Sequence, residues 1–208
     1  MIEAQKLIDP QLPSYQEKRR RKILDTAYEL LKDSEYDQIQ IRDVAAAAGV
    51  ALGTLYRYFS SKDQLYATAL YDWALPFGYD APEWENLKEM DRLAARIDRA
   101  ITAFERRPQF FHLSMMLYQA NDPAVTELAG LRMEALDNAL LQDMKDFDEA
   151  EARNIASIFW GTLTNMFLRV GNGIDDVAAV RSAMSTLMNI VKARHQEVLA
   201  NKANKTNK

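Results

Sequence analysis

The sequence predicts an all-α fold, in which a small N-terminal three-helix module joins a larger helical body. Three observations predict it. Apolar residues recur at three- and four-residue intervals through most of the chain, only 7 glycines and 6 prolines interrupt 208 residues, and no stretch alternates apolar with polar residues for the length of a strand. The longest apolar runs fall well short of the ~20 residues that span a bilayer, so no membrane association is expected.

Residues 1–14 hold Pro10 and Pro13 without a period and read as a flexible arm. From Tyr15 to Asp33, Ile23, Leu24, Ala27, Leu30 and Leu31 form one amphipathic face, which predicts the first helix. Ile41, Val44, Ala45 and Ala48 predict a short second helix, stopped at Gly49. Leu52, Leu55 and Phe59 mark a third, and Ser60 or Ser61 caps a fourth that runs to about Leu75. The prolines and glycine of 76–84 predict a linker. Beyond it, periodic stretches and stop signals predict helices over about 87–106, 108–119, 123–144, 148–170 and 175–199, with Gly171 and Gly173 breaking the last two apart. The polar repeat of 201–208 predicts a disordered tail. The expected domains are therefore 15–62 for the small module and 63–200 for the body.

The net charge of −4 hides an asymmetry: residues 1–62 carry 10 Lys and Arg against 9 Asp and Glu, for +1, and the remainder carries −5. Lys18, Arg19, Arg20, Arg21 and Lys22 are consecutive at the start of the first helix. No cysteine is present, which removes disulfide and thiolate chemistry and fits a reducing, cytoplasmic setting. The two histidines, His112 and His195, lie far apart, and no glycine-rich phosphate loop or metal-spaced cluster occurs. Neither a catalytic residue nor a metal site or cofactor is expected, so the sequence predicts no enzyme.

Two short helices joined by a tight turn and braced by a longer one form the geometry that sets a recognition helix into the major groove of duplex DNA. With Leu55 and Phe59 inward, Thr54, Arg57 and Tyr58 face out and Tyr56 lies at the flank. Arginine suits a guanine edge, threonine a thymine methyl, and tyrosine a phosphate. Gly53 permits close backbone approach. Arg42 and Lys62 flank the groove, and Arg19, Arg20 and Arg21 are placed to meet phosphates or the adjacent minor groove.

From Ile23 to about Leu70, centred on IRDVAAAAGVALGTLYRYFSSKDQL, the sequence resembles the N-terminal domain of the TetR family of transcriptional regulators. The resemblance implies that Arg42, Gly53, Thr54, Tyr56, Arg57, Tyr58 and Lys62 contact DNA and that Leu55 and Phe59 are structural. Gln40 and Ala51 depart from the family's usual Ser or Thr caps, an absence that typically costs ~1 kcal/mol per helix.

The body is rich in bulky residues, most of them expected in the core. Phe104, Phe111, Met115, Tyr118, Trp160, Thr164 and Phe167 are the candidates to line a ligand pocket between helices. Within the family, LGTLYRYF and the segment RRPQFFHLSMMLYQANDPAV are similar to regulators of steroid and lipid catabolism of the KstR kind. This implies a small-molecule effector that is large and apolar, including an acyl-CoA thioester. Stripes of Ile155, Ile158, Phe159, Leu163 and Met166, and of Val180, Met184, Leu187, Met188 and Val191, predict a homodimer surface on the helices at 148–170 and 175–199. The expectation is a ligand-responsive repressor that binds a near-palindromic operator as a dimer.

Overall fold

The structure is a computed structural model that describes residues 12–206. Among these, nine α-helices and no strand occur: α1 (Ser14–Asp33), α2 (Ile41–Ala48), α3 (Leu52–Tyr58), α4 (Lys62–Ala74), α5 (Glu89–Arg106), α6 (Pro108–Tyr118), α7 (Pro123–Leu141), α8 (Glu149–Gly171) and α9 (Val177–Thr206). Most of the arm expected at 1–14 lies outside the described residues, and Ser14 already opens α1. The tail expected to be disordered is helical through Thr206, since α9 continues past Leu199. A side-chain tie explains the continuation: Lys202 donates to the Asp146 carboxylate at 2.9 Å, and His195, two turns earlier, lies 3.0 Å from the other oxygen.

The chain forms two compact units, one of residues up to Pro76 together with Arg107–Glu134, the other of Phe77–Arg106 together with the residues from Ala135 onward. The expected division at 62/63 is therefore displaced. The cause is a shared core, in which Leu65, Tyr66 and Leu70 of α4, Phe110, Leu113 and Leu117 of α6, and Val125 and Leu128 of α7 join Ile23, Leu31 and Leu55 in one apolar cluster. Each such buried side chain contributes about 1.5–3 kcal/mol relative to exposure, so α4 and α6 brace the short helices.

In the second unit α9 packs on α8 and α5. The stripes expected to face a second subunit are largely turned inward: Phe159 and Leu163, and Val180, Met184, Met188 and Val191, are buried within the chain itself. These buried residues are corrected as candidates for the dimer surface. Of the expected stripes Ile158 is exposed, at 53%, and the same helices also expose Leu168 and Ile190, the latter at 61%. Ile158, Gly161, Asn165 and Leu168 follow one another at the spacing of a single face of α8.

The expected linker is also ordered, through two 3-10 turns at Leu75–Gly78 and Pro82–Trp84. Arg96 of α5, fully buried, donates to the Phe77 carbonyl at 3.0 Å, to Asp80 at 2.6 Å and to Asp143 at 3.0 Å. Arg92 reaches the other oxygen of Asp143 at 2.5 Å, and the Arg99 guanidinium lies 3.9 Å over the Trp84 ring. A buried carboxylate shared by two guanidiniums satisfies charges that would be costly alone.

Candidate nucleic-acid interface

The interface is built from small residues upward. Val44, Ala45 and Ala48 are buried on one side of α2, and their slight bulk allows α2 to approach α1 and α3. Gly49 then takes the left-handed conformation, φ +68°, that a side chain would strain, and its N–H caps the carbonyls of Ala45 and Ala46. Val50 donates to Ala45 at 2.9 Å, completing the turn. Gln40 and Ala51 make no side-chain cap, as expected.

On α3, Leu55 is fully buried and Phe59 nearly so. Gly53, Tyr56 and Arg57 are exposed, Thr54 is half-buried, and a Cβ at Gly53 would meet nothing within 4 Å. Two residues depart from the helical reading. Leu52, on the first turn, is exposed, whereas Tyr58 is half-buried against the apolar cluster rather than presented to solvent. Ser61 caps α4 by accepting from the Gln64 N–H at 3.0 Å, while Gln64 returns the contact by accepting from the Ser60 N–H at 2.5 Å.

The basic run divides by helical phase. Lys18, Arg19 and Lys22 are exposed. Arg20 is buried, its guanidinium 5.2 Å from the centre of the Phe59 ring, because it continues the Ile23, Leu24, Ala27 face one turn earlier. It is thus packing material where a DNA contact was expected. Arg21 is exposed but bridges Asp25 at 3.1 Å and Asp72 at 2.7 Å, and burial of Asp72 pushes its carboxyl up against the pull of that arginine. Arg42 stays exposed at the head of α2. Lys22, a member of the basic run with no separate role expected from sequence, places its ammonium beside Gly49 at the helix turn.

Lys62 is more committed than its sequence position suggested. Its ammonium donates to the Tyr36 carbonyl at 2.5 Å and lies 3.8 Å over the Tyr36 ring, and burial lowers its pKa. The Tyr36 hydroxyl donates to Asp63, and desolvation together with that carboxylate raises the phenol pKa. Lys62 therefore fastens the 3-10 turn Tyr36–Gln38 to the head of α4.

The expected pocket residues fall in both units. In the first, Phe111 is buried, Met115 half-buried and Tyr118 67% exposed. In the second, Phe104 meets Phe167 edge-to-face at 5.4 Å, and Trp160 and Thr164 are half-buried on the same side of α8. A groove of about 230 Å³ between α5 and α9, lined by Ile97, Ile101, Met184 and Met188, contains none of them. Among the described residues no group of three His, Cys, Asp or Glu could hold a metal.

Residues 23–69 match the bacterial regulatory proteins of the tetR family, and they span the second half of α1, the two short helices, the Gly49 turn and the first part of α4. The chain resembles the TetR family through this domain. The HTH-type transcriptional repressor KstR of Rhodococcus jostii is 29% identical over 165 residues, covering 77% of this chain and 78% of that protein. The repressor of the same name from Mycobacterium tuberculosis is 33% identical over 117 residues, covering 54% of this chain and 45% of that protein. Among solved structures, a TetR regulator from Rhodococcus sp. RHA1 superposes with a TM-score of 0.72 at 24% identity, covering 85% of this chain and 97% of the other. FadR from Bacillus subtilis, solved in complex with stearoyl-CoA, superposes at 0.61 with 20% identity, covering 81% of this chain and 97% of the other. The likeness to solved structures extends the fold beyond the matched domain, and the two KstR relatives are transcriptional repressors.

Proposed function

We infer that the chain is a ligand-responsive repressor that binds a near-palindromic operator as a homodimer and is released by a small, largely apolar effector. One observation carries the reading: Leu55 and Phe59 anchor α3 from behind and leave Gly53, Tyr56 and Arg57 exposed, with Thr54 half-buried beside them. Arg57 suits a guanine edge and Thr54 a thymine methyl, with Arg19, Lys22 and Arg42 to hold the backbone. Lys62 and Tyr58 serve mainly to hold the module together, and Arg21 reaches phosphate only by leaving its carboxylates.

The homodimer forms through α8 and α9, on the faces that carry Ile158, Leu168 and Ile190, since two-fold pairing of these faces would bury apolar surface that the single chain leaves in water. The relationship to KstR and the stearoyl-CoA complex of FadR support a large apolar effector, including acyl-CoA thioesters, held near Phe104, Trp160, Thr164 and Phe167 or near Phe111, Met115 and Tyr118. No described helix is long and apolar enough to cross a membrane, and an operator as target supports a cytoplasmic setting.

Selection from a pool of random duplexes at two salt concentrations tests the reading. A regulator enriches a near-palindrome and loses affinity steeply as salt rises, while enrichment of nothing would overturn it.

A further inference from the structure

Arg132 stands on α7, only 8% exposed and with no ion-pair partner among the described residues. Among the described residues its Nη1 donates to Ser114 Oγ at 2.7 Å, and its buried Nε finds no acceptor. Ser114 cannot balance the charge. Its own hydroxyl proton is spent on the Phe110 carbonyl at 2.8 Å, so the guanidinium meets a neutral lone pair. Burial lowers the Arg132 pKa to about 10, which leaves it protonated at neutral pH. Elsewhere in the chain the deeply buried Arg96 is matched by Asp143 and Asp80, so a solitary buried arginine is not the habit of this protein. Buried cations ordinarily have an anion within reach.

We propose that the missing anion is the carboxylate of the effector and that Arg132 and Ser114 are its anchor. The proposal rests on the ligand-responsive reading above and gives that ligand a chemical class: an apolar body ending in a free carboxylic acid. A carboxylate takes two parallel N–H bonds from a guanidinium edge, and the open Nε lies on such an edge. One guanidinium beside a neutral hydroxyl balances a monoanion, whereas a phosphate dianion would leave a negative charge buried. Phe111 and Tyr118 share the α6 face of Ser114, three residues before and four after it, and supply aromatic surface for the body. Tyr118, one turn after Ser114 on that face and largely exposed, marks the side open to solvent.

The full-length protein is titrated calorimetrically with hexanoate, decanoate and cholate, each beside its uncharged methyl ester. At least one acid should bind tenfold or more tightly than its ester, and Arg132→Met should abolish that preference. Arg132→Met should also melt no lower than the unaltered protein without ligand, because an unpaired buried charge has been replaced by an apolar chain. Equal binding of every acid and ester, or a preference that survives in Arg132→Met, overturns the proposal; if that variant fails to fold, the acid–ester contrast in the unaltered protein decides alone. Duplex selection by the unaltered protein is scored separately. A protein that selects a duplex without preferring an acid sinks the carboxylate anchor alone, and one that prefers an acid but selects no duplex sinks the regulator reading alone.

Discussion

Leu55 and Phe59 decide which atoms of α3 meet solvent, and the neighbouring arginines show how finely phase sorts identical residues. Arg19 and Arg20 are adjacent and chemically the same, yet one is exposed and the other lies beneath Phe59. Arg19→Ala should leave the melting temperature unchanged, weaken all duplexes alike and lower the salt slope by about 1. Arg20→Ala should instead cost about 1 kcal/mol of stability, through lost packing and the cation–π contact, as read by denaturant unfolding. On α3, Arg57→Ala should reduce affinity for the preferred duplex by about 1–3 kcal/mol while sparing unrelated duplexes, measured by competition binding. Equal loss on all duplexes would remove its base-reading role. Of the residues read as facing out, Arg57 is exposed but Thr54 and Tyr58 are half-buried, while Tyr56, read at the flank, is exposed, because a 3.6-residue period fixes a face only to within its neighbouring positions. Arg20 was legible in the sequence, three residues before Ile23 on the buried stripe, but five consecutive basic residues masked the period. The burial of Lys62 was not legible, since its partner Tyr36 is 26 positions away and only the tertiary fold joins them.

Helices are fixed by their ends and by the few charges that tie one to another. Asp143, wholly buried, accepts from both Arg92 and Arg96, and Arg96 also holds the Phe77–Asp80 segment to α5. Asp143→Ala should destabilise the protein by about 3–5 kcal/mol in thermal or denaturant unfolding, because it strands two guanidiniums. At the other end of the same unit, hydrogen bonds from Lys202 and His195 hold the Asp146 carboxyl below its ordinary pKa. A depressed folded-state pKa adds stability above the unfolded value, about 4, and that stability is lost as pH falls through the folded pKa. Hydrogen exchange should show the turns around Lys202 protected at neutral pH and frayed near pH 2, and Asp146→Asn should fray them at both. Stop signals such as Gly49 and Gly171–Gly173 located most helix ends from sequence, since backbone freedom is a local property. The end of α9 and the order of the Leu75–Trp84 segment were hidden because distant carboxylates and guanidiniums determine them.

For the molecule as a whole, a net charge of −4 is compatible with DNA only if the positive groups are gathered on one module, as the basic run and Arg57 are. Association follows a different rule. Burial of Val180, Met184, Met188 and Val191 against their own chain leaves Ile158, Leu168 and Ile190 as the apolar surface for the proposed pairing. Ile158→Asp combined with Ile190→Asp should yield monomers in sedimentation velocity with an unchanged circular dichroism spectrum, and should weaken operator binding. Apolar periodicity alone could not divide the two stripes of these helices, because a long helix in a bundle is apolar on more than one side. Gly161 lies on the α8 face that carries Ile158, and a Cβ there would meet nothing within 4 Å in the isolated chain. A leucine at that position should therefore help a lone protomer by up to about 1 kcal/mol through helix propensity, while wedging two protomers apart. One substitution would then sharpen folding and abolish pairing, giving a sturdy half-repressor able to touch only one arm of its palindrome.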